Sequence, residues 1–313
     1  MARRTIGLAD VAVTLSRRAD EGLVPLDSVG SNGLHQLVAK WALTKPDVTD
    51  RLKQIYTAIE RVEVYSAAVL MEVGTGSWGD DRRRLVHPDG ALPPRPIDAD
   101  DASTVGTRAL LLAPPGGDIA LYFSEREGNF VGGSRIWKAI EAQIRGASKV
   151  PDLSHELREL VPAKKTVTME EEWLEGVRLQ GVAVSRVRPA SSYGDSGGPE
   201  DLLVKQSIRA SRKGHLNPRW LTDILSAGSR EEAAGIVRLD GDDEIKTIEL
   251  TVSDGSREKT FEIESPGTPA LREVLNEHGN PVLEDLQFID RCAELAAQYY
   301  RRIGQTFDYA WLR

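Results

Sequence analysis

The chain has 313 residues, with 40 Lys and Arg against 48 Asp and Glu, so its formal net charge is −8. Its hydrophobic (40 %) and charged (28 %) fractions are ordinary for a globular protein and exclude collagen, coiled-coil rods and bulk disorder. The single cysteine, Cys292, excludes an internal disulfide framework and a multi-cysteine zinc site. We see neither an apolar run of about 20 residues, as a membrane-spanning helix needs, nor a secretory signal. We therefore expect a cytoplasmic protein of two domains.

Residues 1–60 are predicted to be mainly helical. Segments 10–18 and 34–43 have short helical periodicity. Over 48–62, apolar residues recur at spacings of three and four, which places them on one face of a helix. The β-branched and apolar run 63–73 then indicates a buried strand.

The next part of the chain predicts a loop, a hairpin and a helix. Segment 80–106 is rich in proline, glycine and acidic residues, which is typical of a surface loop. Two apolar strands, 107–113 and 118–123, flank a turn of two prolines and two glycines. Segment 134–144 follows with apolar residues at helical spacing. Strands followed by a helix indicate an α+β fold.

A polar connection over 149–165 suggests a domain boundary, after which the elements are shorter. We predict strands at 201–208 and 261–264, a helix at 218–227, and a hairpin formed by 236–239 and 245–252; segment 181–188 fits either a helix or a strand. Toward the C-terminus we predict a short helix at 271–277 and a long amphipathic helix at 283–303. The aromatic tail 307–312 is expected to dock on its own chain or on a second copy.

Two motifs suggest chemistry but have simpler explanations. Segment 194–199, Gly-Asp-Ser-Gly-Gly-Pro, matches the segment around the nucleophile of trypsin-like proteases. That chemistry needs a histidine base and a buried aspartate, and the histidines upstream lack the family's sequence context, so we favour a loop. The acidic segments 240–244 and 98–101 offer carboxylates for a divalent cation, but they lack calcium-loop spacing, so we favour solvated turns.

Two further patterns were weighed in the same way. Glu262, Glu264 and Lys259 could serve a metal-dependent nuclease, although their alternation with apolar residues is equally typical of a half-exposed strand. Gly132, Gly133 and Ser134 precede a helix and could hold an anion there, but a capping serine is the simpler interpretation.

The strongest signal is a reversal of charge between residues 202 and 222, where five basic residues and one histidine occur without an acid. Such a cluster neutralises the phosphates of a nucleic acid and releases their counterions, which gives an affinity for nucleic acid that does not depend on base sequence. The proposed DNA contacts are Lys205, Arg209, Arg212, Lys213, His215 and Arg219. A second set on the loop is Arg82, Arg83 and Arg84. We expect these cations to lie open to solvent and to bind phosphate. The alternative is that they form a solvated basic face without a ligand, or that they pair with acids elsewhere in the chain.

Three parts of the chain resemble the lambda RexA-type phage exclusion proteins in order and pattern. They are the strand pair and helix with Ala-Leu-Leu-Leu (109–112), Asp-Ile-Ala (118–120) and Ile-Trp-Lys (136–138); the strand Asp-Leu-Leu-Val-Lys-Gln-Ser-Ile (201–208); and the end, with Glu-His-Gly-Asn-Pro (277–281) and Cys-Ala-Glu-Leu-Ala-Ala-Gln-Tyr-Tyr-Arg-Arg-Ile-Gly (292–304).

The resemblance implies a dimeric DNA-binding protein without known chemistry, which senses phage DNA or replication intermediates and signals to a small membrane effector of the RexB type. It also implies a globular domain built from both chain ends and an inserted mobile domain. We place these at 1–163 with 268–313, and at 164–267.

The sequence thus predicts an α+β, non-enzymatic homodimer that binds double-stranded DNA non-specifically, needs no cofactor or metal, and acts in prophage-encoded defence. The alternative is a metal-dependent nuclease of a phage-defence system. A third possibility is a protein-interaction adaptor without affinity for nucleic acid.

Overall fold

The computed structural model describes residues 3–15, 22–78, 84–85, 95–96, 103–128, 130–147, 150–151, 157–158, 160–167, 177–188, 202–211, 214–239, 241, 243–253, 258–263, 272–276 and 281–313. Helices and antiparallel strands alternate irregularly along these residues, so the predicted α+β class is confirmed. No helix within these ranges is long and apolar enough to cross a membrane.

Fifteen strands and five α-helices make up the described structure. The strands are β1 (Arg4–Leu15), β2 (Ile55–Val64), β3 (Ala68–Ser77), β4 (Arg84–Leu85), β5 (Arg95–Pro96), β6 (Ser103–Leu112), β7 (Ile119–Glu127), β8 (Val150–Pro151), β9 (Leu157–Arg158), β10 (Leu160–Thr166), β11 (Arg178–Arg188), β12 (Leu202–Arg209), β13 (Glu244–Ser253), β14 (Glu258–Ile263) and β15 (Arg272–Asn276). The helices are α1 (Gly33–Ala42), α2 (Gly132–Gly146), α3 (Pro218–Ser226), α4 (Arg230–Ile236) and α5 (Asp285–Arg302).

Eleven of the described strands form one antiparallel sheet in the order β12-β11-β13-β14-β15-β1-β7-β6-β3-β2, with β10 also paired to β1. Strand β1 is long enough to pair with three other strands. One of its edges pairs with β7, while the other pairs first with β15 and then with β10. The N-terminal strand therefore links the two halves of the sheet.

Helices cover the sheet on both faces, and alternation along each strand assigns residues to one face or the other. In β6, Ala109 and Leu111 belong to the core beneath α1 and α2. Leu110 and Leu112 belong to the core shared with α3, α4 and α5. The second core extends along the sheet from the strands around β1 to β11 and β13.

A buried ionic cluster fastens the start of α5 to the sheet. The Arg108 guanidinium donates to both oxygens of Glu125, at 2.7 and 3.0 Å, and to the carbonyl of Leu283 at 2.8 Å. The side chain of Glu125 is fully buried and is also paired with Arg4 at 3.2 Å. The Arg108 guanidinium lies 4.3 Å from the centre of the Phe288 ring. These contacts fix the angle at which α5 crosses the sheet.

Several predicted elements are confirmed. They are α1, the β6–β7 hairpin, α2, β12, α3, β14 and α5, and segment 181–188 is a strand within β11. The aromatic tail docks on its own chain. Phe307 stacks on Tyr300 with ring centres 6.3 Å apart, and the carbonyl of Trp311 accepts a hydrogen bond from the Ala67 amide.

Four element predictions were wrong. Segments 10–18 and 271–277 were predicted to be helical, but their described residues, 10–15 and 272–276, lie in β1 and β15. The apolar residues of these strands face cores on one or both sides of the sheet. Segment 48–62 was predicted to be a helix, but its second half belongs to strand β2. A β-bulge between Ile59 and Arg61 brings Ile59 and Val62 to the same face of that strand, so apolar residues three apart share a face, as they do in a helix. Finally, Ile236 ends α4, so 236–239 is no hairpin strand.

The sheet crosses the predicted domain boundary. Strand β10 contains the boundary between residues 163 and 164, and it pairs with β1 along its length. Strands β11 to β14 belong to the predicted insertion, yet they continue the sheet that contains β1, through β15. The division into a globular and an inserted mobile domain remains a prediction.

Candidate nucleic-acid interface

The structure describes some of the proposed DNA contacts and not others. Lys205 and Arg209 lie on β12, and His215 and Arg219 are exposed around the start of α3. Arg84 lies in the short strand β4. Four of the predicted contacts lie outside the described residues: Arg82, Arg83, Arg212 and Lys213.

The segment between β12 and α3 returns to the start of β11. The amide of Ala210 donates to the carbonyl of Gln180 at 2.8 Å, and the amide of Leu216 donates to the carbonyl of Leu179 at 2.8 Å. Helix α3 begins directly afterwards. Asn217 is its N-cap residue, and its side chain accepts a hydrogen bond from the Arg219 amide at 3.1 Å. The end of β12 and the start of α3 therefore meet at one corner of the sheet.

An arginine that the sequence reasoning missed, Arg178, is at the same corner. It lies opposite Ser253 in the β11–β13 pair, and Ser253 lies opposite Glu258 in the β13–β14 pair. Glu258 in turn pairs with Arg209 at 3.1 Å. Only the register of these strands brings Arg178 near Arg209, since about thirty residues separate them in the chain. We call the exposed side chains of Arg178, Arg209, His215 and Arg219 the basic corner.

The ion pair of Arg209 leaves its guanidinium available to a ligand. Its side chain is 64 % exposed and that of Glu258 is 54 % exposed, so water and salt screen the pair. Exposed pairs of this kind contribute about 0–1 kcal/mol. A Cβ added at Gly181 would lie 3.3 Å from the Arg209 Cγ, so the arginine stem crosses this glycine. A phosphate could replace the carboxylate of Glu258 at little cost.

Lys205 is placed differently, because its partner is buried. Its Nζ lies 3.1 Å from Glu249 Oε2, and the side chain of Glu249 is only 6 % exposed. Arg3 Nη1 pairs with the other oxygen of Glu249 at 2.7 Å. Lys205 therefore neutralises a buried carboxylate, although its own side chain is 48 % exposed. Its contact with DNA remains a prediction.

The two described residues of the nuclease alternative, Lys259 and Glu262, do not converge. Lys259 lies opposite Val252 and Glu262 lies opposite Glu249, so the two side chains point to opposite faces of β14. Glu262 is 3.8 Å from Arg3, and Glu264 lies outside the described residues. Within the described part of the chain, no group of three or more His, Cys, Asp or Glu side chains is arranged to hold a metal ion.

Described residues of the acidic segment 240–244 contact an arginine. The guanidinium of Arg186 donates to the backbone carbonyls of Leu239, Gly241 and Asp243 at 2.6, 3.1 and 2.7 Å. These carbonyl oxygens therefore already serve a cation that the chain itself supplies.

The two glycines at the start of α2 serve packing. A Cβ at Gly132 would meet Thr107 Oγ1 at 2.6 Å, and one at Gly133 would meet Ala109 at 3.0 Å, so only glycine lets the helix lie this close to the sheet. Ser134 lies inside α2, whose N-cap residue is Val131, so the predicted capping serine was wrong.

The protease-like segment 194–199 and the second acidic segment 98–101 lie outside the described residues. Of the upstream histidines, His35 is described; its Nε2 lies 3.2 Å from the carbonyl oxygen of Ala68, to which it can donate.

No family model, no curated protein and no solved structure matches this chain.

Proposed function

We propose that this protein binds double-stranded DNA non-specifically through the basic corner. The observation that carries the proposal is that three arginines and a histidine, all exposed, lie around one corner of the sheet, at the start of β11, the end of β12 and the start of α3. Arginine guanidinium groups suit phosphate oxygens because they offer several donors in a planar fork. The predicted contacts Arg212 and Lys213 belong to the same connection in the sequence.

The same proposal includes the biological role that the RexA-type resemblance implies. The protein would act in prophage-encoded exclusion of a second phage, as a homodimer that detects phage DNA and signals to a membrane effector. Binding to the phosphate backbone suits this task, because it detects DNA whatever its base sequence. The net charge of −8 opposes binding at long range, so the attraction to DNA has to come from the local cations of the basic corner. Because these cations release counterions from the phosphates, we expect the affinity to fall as salt rises.

A fluorescence-anisotropy titration with duplex DNA at two salt concentrations tests the proposal. We expect the wild-type protein to bind more weakly at the higher concentration. The triple variant Arg178→Ala, Arg209→Ala, Arg219→Ala should bind more weakly still, with a slope of log K against log salt reduced by about one to three.

The matched control removes the same amount of charge elsewhere. Three exposed cations lie on α1, in the turn before β2 and on α2: Lys40, Arg51 and Lys138. Their triple alanine variant should bind DNA nearly as the wild type does. Equal losses in both triple variants would mean that only net charge matters. Unchanged binding in the first variant would remove the basic corner from the proposal.

A further inference from the structure

The two ends of the sheet differ in how their outer edges are protected. At one end, Asp47 and Asp50 form bridges with Ala58 and Ile55 and so cover the first part of β2. The middle of β2 is interrupted by the bulge next to Ile59. Covering and bulging are the usual ways in which proteins prevent a strand edge from pairing with another chain.

The other end, β12, is regular. It pairs with β11 over all eight of its residues without a shift in register. No strand among the described residues pairs with its other edge. The residues from Lys205 to Ser207 are exposed. Val204 and Ile208 are half-buried, and Ile208 packs against the core beneath α3. A straight strand with unpaired backbone groups is a template for a further strand.

We propose that β12 of a second copy of this chain pairs antiparallel with β12 about a twofold axis at Gln206. In this register Gln206 lies opposite Gln206 of the second copy, and Val204 lies opposite the second copy's Ile208. Lys205 lies opposite the second copy's Ser207. The apolar pair occurs twice by symmetry. It continues the core of each subunit across the contact between the two β12 strands, which we call the seam.

Charge selects this register over its neighbours. An axis at Lys205 would place the two Lys205 side chains directly opposite each other. An axis at Ser207 would place Arg209 opposite the second copy's Lys205. Like charges directly opposite each other on neighbouring strands are unfavourable. The axis at Gln206 avoids both contacts, because it places Arg209 opposite position 203.

The seam also extends the proposed DNA surface, and this part of the inference rests on the proposed function. The two Arg209 residues would be about six positions apart along the seam, or about 20 Å at 3.4 Å per residue. They would lie on the same face of one continuous sheet. Because a turn of duplex DNA is about 34 Å long, both basic corners could contact one duplex.

A disulfide trap in the full-length protein tests the seam. Directly opposite residues in an antiparallel pair have Cα atoms about 4.5–5.5 Å apart, which a disulfide can span. Under mild oxidation, Gln206→Cys should therefore give a covalent dimer that a reducing agent dissociates. The wild-type protein is the reference, since its only cysteine, Cys292, is buried.

Two control variants make the test specific to the register. Ser207→Cys is one residue along, and its counterpart in the second copy would be more than 7 Å away, beyond the span of a disulfide. Lys246→Cys places the thiol at an exposed site on β13. We expect dimer yields at least tenfold lower for both. Absence of the Gln206→Cys dimer, or equal yields for the three variants, would overturn the proposed pairing.

DNA titration of the cross-linked Gln206→Cys dimer and of its reduced form separates the two proposals. Tighter binding by the dimer, by tenfold or more, supports the seam as part of the DNA surface. If the disulfide forms but neither form binds DNA, the seam stands and the proposed function fails. If DNA binds but no specific disulfide forms, the function stands and the seam is wrong.

Discussion

The two described cations of β12 should give opposite results when each is replaced by alanine. Arg209 pairs with an exposed carboxylate, whereas Lys205 pairs with a buried one. We therefore predict that Arg209→Ala weakens DNA binding and leaves the folded protein nearly as stable as before. Lys205→Ala should instead destabilise the fold.

The magnitudes follow from the exposure of the partners. The pair of Arg209 with Glu258 contributes about 0–1 kcal/mol to stability, but loss of one phosphate contact reduces the salt slope of DNA binding by about 0.9. Removal of Lys205 leaves Glu249 buried with Arg3 as its remaining partner in a salt bridge at 2.7 Å. Loss of one partner from a buried charged group costs about 1–3 kcal/mol. The surviving Arg3 contact favours the lower part of that range, about 1–2 kcal/mol. For a chain of 313 residues this loss should lower Tm by about 2–3 °C.

Thermal unfolding and DNA titration of both single variants check this prediction. Glu249→Gln in the Lys205→Ala background provides a control, because removing the charge of a buried carboxylate that has lost one partner should restore part of the lost stability. The reasoning would be refuted if Arg209→Ala lowered Tm as much as Lys205→Ala does. It would also be refuted if Arg209→Ala left the salt slope unchanged.

Two further predictions concern stability. Arg108→Met leaves the buried carboxylate of Glu125 with fewer partners and should lower the free energy of unfolding, measured in urea, by about 3–5 kcal/mol. Adding Glu125→Leu should recover part of this loss. A double variant no more stable than the single one would contradict the explanation. Burial lowers the pKa of His35 from its usual 6.5. The unfolded chain therefore binds a proton more readily than the folded one, and stability present above pH 6.5 should be lost as the pH falls toward the folded-state pKa. His35→Gln cannot take up that proton, so its Tm should fall less than that of the wild type between pH of about 7.5 and 5.5.

Local sequence patterns were sufficient for elements that have one buried face or a clear turn. Helices α2 and α5 carry an apolar stripe at helical spacing, and the β6–β7 hairpin has a turn of prolines and glycines between apolar runs. In each case the signal lies within one segment, because a helix or hairpin needs little from distant residues to define its period.

Tertiary structure decided the strands that are buried on both faces or bulged. Strand β1 contributes Leu8 to one core and Val11 to the other, so its apolar residues lose the simple alternation of a half-exposed strand. The bulge in β2 moves Ile59 and Val62 onto one face at a spacing of three, which local analysis reads as a helix.

The sequence alone established that cations are concentrated between residues 202 and 222 of an acidic chain. Only the tertiary structure decided which of these cations are available to bind phosphate. Strand pairing determines which carboxylate lies next to each cation and how deeply that carboxylate is buried. Register gives Lys205 a buried partner and Arg209 an exposed one, and it brings Arg178 to the same corner from a distant segment. The strength of an ion pair depends on its exposure to water, and exposure is a property of the whole fold.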